Sequence, residues 1–286
     1  MSKVAVVADS TCCLPQELFK QYDVSVIPIL IVHNGKTYRD GIDITPNEVY
    51  QIMRRREELP TTSTPSAGDF LECFAHLGQT TENILCITLT SLQSMTYDTA
   101  MLAREQAKET MPDTRIEVFD SRATAGALGL IVLEAARAAS RGADLDEAID
   151  VARSVMQRAN FLAMVDTLYY LARTGRVARA AAWAGALLDM KPVVEHSPLV
   201  GETTGVARPR TRAKAIKRLL DLMSERVGDK PVHVVTCHAD ELEEGEKLRD
   251  EIGRRFNCTE LHLTEFTPGM GVHAGPGIVG MGFYTD

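Results

Sequence analysis

Three short apolar runs in the first half of the chain each lead into residues with hydroxyl side chains. Continuous apolar runs of this length are typical of strands that are buried on both faces of a sheet. The pattern therefore predicts three buried strands with polar carboxyl ends. The runs and the polar residues after them are 3–8 before Asp9-Ser10-Thr11, 83–89 before Thr90-Ser91, and 115–119 before Asp120-Ser121.

Segments that favour helices lie between and beside these runs, at residues 16–22, 95–109 and 124–140. Strands that alternate with helices favour a parallel sheet with right-handed crossovers. Ligands of such sheets bind beyond the carboxyl ends of the strands. We therefore expect the hydroxyls that follow the strands, together with Ser94, to gather at one edge of the sheet.

Two N-terminal capping patterns mark further helices. Thr45-Pro46-Asn47-Glu48 is a capping box with proline at the first helical position, and it predicts a helix to about residue 57. Asp144-Leu145-Asp146-Glu147 predicts another helix, to about residue 158. We place the end of the first domain just after this helix.

The second half of the chain repeats the alternation of helices and strands. A length of 286 residues suits two domains better than one. We predict an α/β fold in which an N-terminal parallel-sheet domain, residues 1–160, packs on a second α/β domain, residues 161–286, with a ligand tunnel at their junction. The predicted elements of the second half are helices at 211–225 and 242–256 and strands at 232–237, 260–266 and 278–284.

The segment 60–66, Pro-Thr-Thr-Ser-Thr-Pro-Ser, carries five hydroxyl groups and no ionisable side chain. Hydroxyls donate hydrogen bonds to a carboxylate or phosphate at any ordinary pH, whereas a nucleophilic hydroxyl requires a neighbouring base. The segment therefore indicates binding of a polar group rather than catalysis. The alternative is a turn before a helix, with Ser66 as the N-cap and Asp69 three residues later.

The cysteines and the hydropathy pattern bear on location. Six cysteines form no C-x-x-C pair and no metal-ligand spacing, so we expect a reducing cytoplasm and no metal. The uncharged run at 123–133 is far shorter than the roughly 20 residues that span a bilayer, and the N-terminus shows no signal-peptide pattern. No transmembrane segment is expected.

The net charge of −8 is distributed unevenly. Residues 153–218, the basic segment, carry 12 Lys and Arg against 4 Asp and Glu, a net charge of +8, so the remainder carries −16. No nucleic acid is expected as a partner, because the aromatic residues of this segment show no interleaved pattern. The segment fits a docking face for an acidic or phosphate-bearing partner, or arginine-rich helix faces that are simply solvated.

The glycines near the C-terminus imitate a dinucleotide-binding motif. Residues 275–280, Gly-Pro-Gly-Ile-Val-Gly, match G-x-G-x-x-G, but the chain ends six residues later, without a following helix or an acidic residue about 20 positions on. We therefore expect no NAD and no other cofactor. His273, which lies in this glycine-rich stretch, is the best functional candidate among the seven histidines.

A hydrolase of acyl esters is one alternative to a binding protein. Ser94 or Ser63 would be the nucleophile, His273 the base, and Asp9 or Asp120 the carboxylate that orients the base. The chain contains no G-x-S-x-G elbow, which makes this alternative weak.

Six short motifs follow one another along nearly the whole chain. They are Asp9-Ser10-Thr11, 39–46 (Arg-Asp-Gly-Ile-Asp-Ile-Thr-Pro), 60–66, 90–97, 168–177 (Leu-Tyr-Tyr-Leu-Ala-Arg-Thr-Gly-Arg-Val) and 273–283. Together they resemble the DegV family of fatty-acid-binding proteins. The resemblance implies a two-domain α/β fold that encloses one long-chain acyl group. In many members a separate ATP-dependent fatty-acid kinase acts on the bound fatty acid and makes acyl phosphate for phospholipid synthesis, so the resemblance implies a carrier and not an enzyme.

The resemblance also implies roles for individual residues. Thr62 and Ser94 match the family's carboxylate-binding hydroxyls, and His273, before Gly-Pro-Gly, is expected near the head group. Ser63 and Met95, their chain neighbours, are expected to contact the ligand as well.

Arg176, with Arg173 in the same motif, is expected to engage the kinase. The sequence departs from the family pattern at Gln93 and Met95, and also at Thr64, where glutamine is common. Neutral hydroxyl donors would leave the carboxylate able to attack a phosphate, whereas an arginine would hold the carboxylate more tightly. We therefore expect a head-group site without arginine.

The second alternative to a carrier, after the hydrolase, is a lipid-sensing module without a kinase partner. Transient contact of the protein with a membrane surface stays open.

Overall fold

The computed structural model describes residues 4–55, 58–178 and 190–286, and it confirms the predicted α/β architecture. The strands are β1 (Ala5–Asp9), β2 (Ser25–Ile27), β3 (Leu30–His33), β4 (Lys36–Arg39), β5 (Thr61–Ser63), β6 (Asn83–Thr88), β7 (Arg115–Asp120), β8 (Asn160–Met164), β9 (Val193–Ser197), β10 (Glu202–Ala207), β11 (Val232–His238), β12 (Cys258–Glu265) and β13 (Val279–Thr285). The helices are α1 (Gln16–Gln21), α2 (Pro46–Arg55), α3 (Ala67–Leu77), α4 (Thr96–Thr110), α5 (Ala125–Ser140), α6 (Leu145–Arg158), α7 (Tyr169–Arg173), α8 (Arg212–Val227), α9 (Leu242–Arg255) and α10 (Pro268–Ala274).

The first sheet is parallel throughout, with strand order β2-β1-β6-β7. Three of its strands are those predicted from the apolar runs, and both capping patterns in the first half begin helices as expected. Asp144 accepts from the backbone N–H of Glu147, and the Glu147 carboxylate accepts from the Asp144 N–H. Local sequence is therefore sufficient to place these three strands and the two capped helices.

A small antiparallel sheet, β4-β3-β5, was missed by the sequence analysis. Its strands are short and partly polar, so they lack the apolar signal. One local signal was present: Asn34 and Gly35 both have positive φ, 49° and 71°, as the two-residue hairpin between β3 and β4 requires. The hydroxyl segment supplies β5, where Thr62 pairs with Ile31. Ser66 then caps α3 through Asp69, which was the alternative interpretation of this segment.

The second sheet has six strands in the order β10-β9-β8-β13-β11-β12, and only β11 and β12 run parallel. Helix α5 lies between this sheet and the first one, where it packs against β1 on one side and β11 and β13 on the other. Its buried residues join one apolar core that includes side chains of both sheets. The domain division at residues 160 and 161 stays a prediction.

Helix α10 was not predicted, because it lies in a glycine-rich stretch of the sequence. The structure explains the glycines: a Cβ on Gly271 would lie 2.6 Å from Cε1 of Tyr50. Glycine at this position therefore lets α10 lie directly against α2, although glycine weakens a helix. Thr267 caps this helix and Pro268 occupies its first turn. Both residues are typical of a helix start, so the sequence does contain a signal for α10.

Asp40 is buried where the first sheet meets α10. Its carboxylate accepts hydrogen bonds from Ser10 Oγ at 2.6 Å and from the backbone N–H of Gly269 at 2.8 Å. Burial outweighs these bonds and raises the pKa of Asp40 to about 6. The folded protein therefore binds this proton more tightly than the unfolded chain does.

We expect the stability of the protein to fall relative to an Asp40→Asn variant as the pH rises from about 4 to above 6. The folded pKa lies above the unfolded value, so the contribution is complete below the unfolded pKa and is lost as pH rises through the folded pKa. The loss is at most about 3 kcal/mol. Urea unfolding of both proteins across this range measures it, since asparagine carries no charge at any pH and can still accept from the Gly269 N–H. Parallel curves for the two proteins would contradict the assignment.

Candidate functional site

A cavity of about 320 Å³ lies between the first sheet, the small sheet and the second sheet. All five residues predicted to bind a ligand line it: Thr62, Ser63, Ser94, Met95 and His273. Most of the remaining wall is apolar and comprises Ile29, Leu89, Phe161, Leu171, Val194, Phe266, Met270, Ala274 and Ile278. The cavity thus combines an apolar wall with the polar side chains of Thr62, Ser63, Ser94 and His273, called the polar cluster below. The ligand-binding role of each residue stays a prediction.

Two members of the polar cluster, Thr62 and His273, are hydrogen-bonded to each other. Thr62 Oγ1 lies 2.8 Å from His273 Nε2, which joins β5 to the last turn of α10. Burial, and then the positive charge of Arg176, lower the pKa of His273 to about 3, so its ring is neutral at ordinary pH.

The proton of this neutral ring belongs on Nε2. The other ring nitrogen, Nδ1, is buried and has no hydrogen-bond partner in the described part of the chain. A buried N–H without a partner is rarer in proteins than an unpaired acceptor, which favours the tautomer with the proton on Nε2. Nε2–H then donates to Thr62 Oγ1. The Thr62 hydroxyl hydrogen is left free to donate to a ligand.

Ser94 lies at the start of α4, beside Met95. The Ser94 hydroxyl lies 2.8 Å from Thr96 Oγ1 and accepts from the Thr96 backbone N–H at 3.3 Å. With Thr96 as donor, the Ser94 hydrogen is also available to a ligand. Met95 is 63% exposed and lines the rim of the cavity.

The other strand-end serines, Ser10, Ser91 and Ser121, do not line the cavity. Ser10 donates to Asp40, and Ser91 donates to Asp120 at 2.6 Å. Ser121 is buried, and its hydroxyl bonds to the nearby backbone of Ala123. Neighbouring carboxylates and main-chain groups therefore occupy these hydroxyls, and sequence spacing could not reveal those contacts.

Arg176 lines the same cavity as the predicted ligand-binding hydroxyls, where no arginine was expected. Its side chain is half-buried, and it donates to the backbone carbonyl of Thr174. Desolvation lowers its pKa, yet an arginine stays charged at any ordinary pH. The polar end of the cavity therefore has a cation next to the neutral His273. A docking role for Arg176 stays a prediction.

A chain of directed hydrogen bonds holds the backbone of Arg176. His196 Nε2–H donates to the carbonyl of Arg122 at 3.0 Å, which leaves Nδ1 as an acceptor for the Thr203 hydroxyl. The Thr203 oxygen accepts from Gln93 Nε2, and the same amide donates to the Arg176 carbonyl at 3.2 Å. Gln93, which departs from the family pattern, thus links the loop after β6 to the second sheet.

Arg173 and the basic segment give less support to a docking face than the charge count did. Arg173 is exposed and does not line the cavity. Several other cations of the segment pair with its own or nearby acids: Lys191 and Arg212 with Asp166, Lys217 with Asp221, and Arg218 with Glu225. Residues 179–189 of the segment lie outside the described part of the chain.

The hydrolase alternative lacks its third residue in the described structure. Asp9 accepts from Thr11 and from the Leu89 N–H, and Asp120 accepts from Ser91 and the Arg122 N–H, so neither carboxylate bonds to His273. A histidine with a pKa of about 3 is also a weak base near neutral pH. The geometry favours binding over hydrolysis.

Within residues 4–55, 58–178 and 190–286, the one group of side chains close enough to share an ion is Glu134, His233 and Glu260. Arg137 already pairs with the Glu134 and Glu260 carboxylates, at 2.7 Å and 2.6 Å, so it is the counterion of both.

Among the helices of the described residues, none combines the length and the hydropathy that a membrane span requires.

Comparisons with known proteins agree with the motifs. Residues 3–286 match the profile of the DegV family, whose members are described as uncharacterised proteins. A DegV domain-containing protein of Caldanaerobacter subterraneus is 33% identical over 284 residues, which is 99% of each chain. The structure of a fatty-acid-binding DegV family protein from Thermus thermophilus has a TM-score of 0.91 and 28% identity over 100% of both chains. A stearic-acid-binding protein from Eubacterium ventriosum has a TM-score of 0.85 and 27% identity over 100% of this chain and 98% of that one.

Proposed function

Because the chain belongs to the DegV family, we propose that it is a carrier that binds one long-chain fatty acid and is not itself an enzyme. The observation that carries the proposal is the cavity, where Thr62, Ser94, His273 and Arg176 lie beside an extended apolar wall. The related proteins that are described as binding fatty acids share its fold over their whole length. The carboxylate would lie at the polar cluster and the acyl chain along the apolar wall.

The two parts of the ligand would contribute differently to binding. Each buried methylene contributes about 0.8 kcal/mol, so a chain of about 16 carbons contributes on the order of 12 kcal/mol before the costs of binding. A hydrogen bond to a charged head group contributes about 1.5 to 3 kcal/mol. The acyl chain therefore supplies most of the affinity, whereas the polar cluster determines which end of the ligand is held there.

We further propose that the carrier works in the cytoplasm and presents the carboxylate to a separate fatty-acid kinase, which supplies ATP and metal for acyl-phosphate formation. The polar cluster lies near the exposed Met95, so a carboxylate bound there would be near the surface. A phosphorylation assay with the kinase of the same organism separates this carrier from a lipid sensor. Absence of any acyl phosphate would favour the sensor.

The direct test of binding is mass spectrometry of an organic extract of the purified protein. We expect one long-chain fatty acid per protein molecule, or uptake of one on incubation. Recovery of none, with none taken up, would overturn the proposal. Hydrolysis of a chromogenic acyl ester that disappears in Ser94→Ala would support the hydrolase instead.

Arg176→Gln is expected to weaken fatty-acid binding about tenfold, because it removes the one cation among the described cavity-lining side chains. The reduction is modest since Arg176 is half-exposed and solvent screens its charge. Competition with a fluorescent fatty acid measures the affinity, and the kinase assay follows transfer. Arg173→Gln is the matched control, as it removes an exposed charge three residues away. Normal affinity with impaired transfer in Arg176→Gln would assign Arg176 to docking alone.

A further inference from the structure

Phe266 lies between the cavity described above and a second cavity of about 590 Å³. The residue is completely buried and connects β12 to α10. Its ring packs against that of Phe161, with 6.2 Å between the ring centroids. Many side chains of the second cavity are apolar, among them Leu14, Phe19 and Ile42.

The wall between the two cavities is thin. Two other segments contribute to this wall. In each segment one residue lines the first cavity and its neighbour in the chain lines the second. Thr11 lines the first cavity whereas Cys12 lines the second, and Ile29 lines the first whereas Pro28 lines the second. Among the described residues, Phe266 alone lines both cavities.

Phe266 also lies away from the polar cluster. It precedes the first turn of α10, whereas His273 lies in the last turn. A rise of 1.5 Å per residue separates the two positions by roughly 10 Å along this helix. An acyl chain whose carboxylate lies at Thr62 and His273 can therefore extend along the apolar wall toward Phe266.

We propose that Phe266 ends the acyl-binding cavity and so sets the longest fatty acid that the protein accepts. The inference rests on the proposed function and adds the residue that determines chain length. Removing the ring joins the two cavities. Additional methylenes of a longer chain then enter the second cavity beside its apolar side chains, such as Leu14 and Phe19, instead of meeting the ring.

The test compares Phe266→Ala with Phe161→Ala, which removes an equivalent ring that lines the first cavity only. Affinities are measured for saturated fatty acids of about 14 to 24 carbons. In the wild type we expect affinity to rise with length and then to fall. In Phe266→Ala the maximum moves to chains about two to four carbons longer, with up to about a fourfold gain for each added methylene. Phe161→Ala keeps the wild-type maximum.

Loss of a buried ring can prevent folding, so Phe266→Leu is included and should show a smaller shift in the same direction. Folded Phe266 variants that keep the wild-type maximum would overturn the inference. Failure of the wild type to bind any acid would instead refute the proposed function, and the role of Phe266 with it.

Photolabelling locates the end of the chain directly. A 20-carbon acid with a terminal diazirine loses N₂ on irradiation, and the resulting carbene inserts into a nearby C–H or S–H bond. Fragmentation of the labelled peptide separates Cys12, Cys13 and Leu14, which line the second cavity, from Thr11, which lines the first. In Phe266→Ala and Phe266→Leu we expect label on these three residues, and none on them in the wild type. Absence of label there in both variants would contradict the joining of the cavities.

Discussion

Thr62→Val combined with Ser94→Ala is expected to weaken fatty-acid binding by about 10- to 100-fold for each lost hydrogen bond to the carboxylate. Both hydroxyls line the cavity, and each has a hydrogen that can be directed to a ligand. Valine keeps the shape of threonine but cannot donate. Competition with a fluorescent fatty acid measures the loss, and the kinase assay shows whether the remaining ligand is still presented.

Thr61→Val is the control for this variant. It makes the same change one residue away on β5, where the side chain lies on the opposite face, is exposed and does not line the cavity. Its binding should match the wild type. Unchanged affinity together with unchanged phosphorylation in the double variant would show that neither hydroxyl binds the carboxylate.

Gly282→Ala is expected to destabilise the protein by about 3 kcal/mol or more. A Cβ at this position of β13 would lie 2.3 Å from the backbone carbonyl carbon of Gly126 in α5. Overpacking commonly costs 1 to 3 kcal/mol, and backbone atoms yield less than the end of a flexible side chain. The urea midpoint of unfolding measures the change.

Gly68→Ala provides the matched control with the opposite sign. Gly68 lies in the first turn of α3, and a Cβ there would meet Ser66 Oγ at an ordinary 3.5 Å. Alanine is a better helix former than glycine, so we expect no loss and a gain of up to about 1 kcal/mol. Equal stability of the Gly282 and Gly68 variants would contradict the close contact between α5 and β13.

Sequence reasoning succeeded where one local pattern dominates. The apolar runs at β1, β6 and β7 and the caps at Thr45 and Asp144 each contain the whole signal within a few residues. The small sheet and strands β8, β9 and β10 were not predicted. The strands of the small sheet have only three or four residues. Polar side chains such as Glu195, His196 and Thr203 interrupt the apolar pattern of β9 and β10, and β8 begins two residues after α6 ends.

The candidate site shows the same limit. The motifs identified Thr62, Ser94 and His273, and the structure gathers them in one cavity. The position of Arg176 could not be predicted, because it depends on contacts with Gln93 and on the approach of the second sheet. Charge counting placed Arg176 on an outer face, whereas packing places its side chain at the cavity.

Helix α5 constrains how quickly a ligand can be exchanged. Because its buried residues pack against both sheets, rotating the two halves apart would expose the shared core to water. Hinge motions of that kind take microseconds to milliseconds, whereas exposed side chains change rotamer in picoseconds to nanoseconds. Met95, exposed at the rim, can move without disturbing α5. We therefore expect the dissociation rate of a bound acyl chain to depend on its contacts with the cavity wall. Entry of a ligand would not require the two sheets to rotate apart.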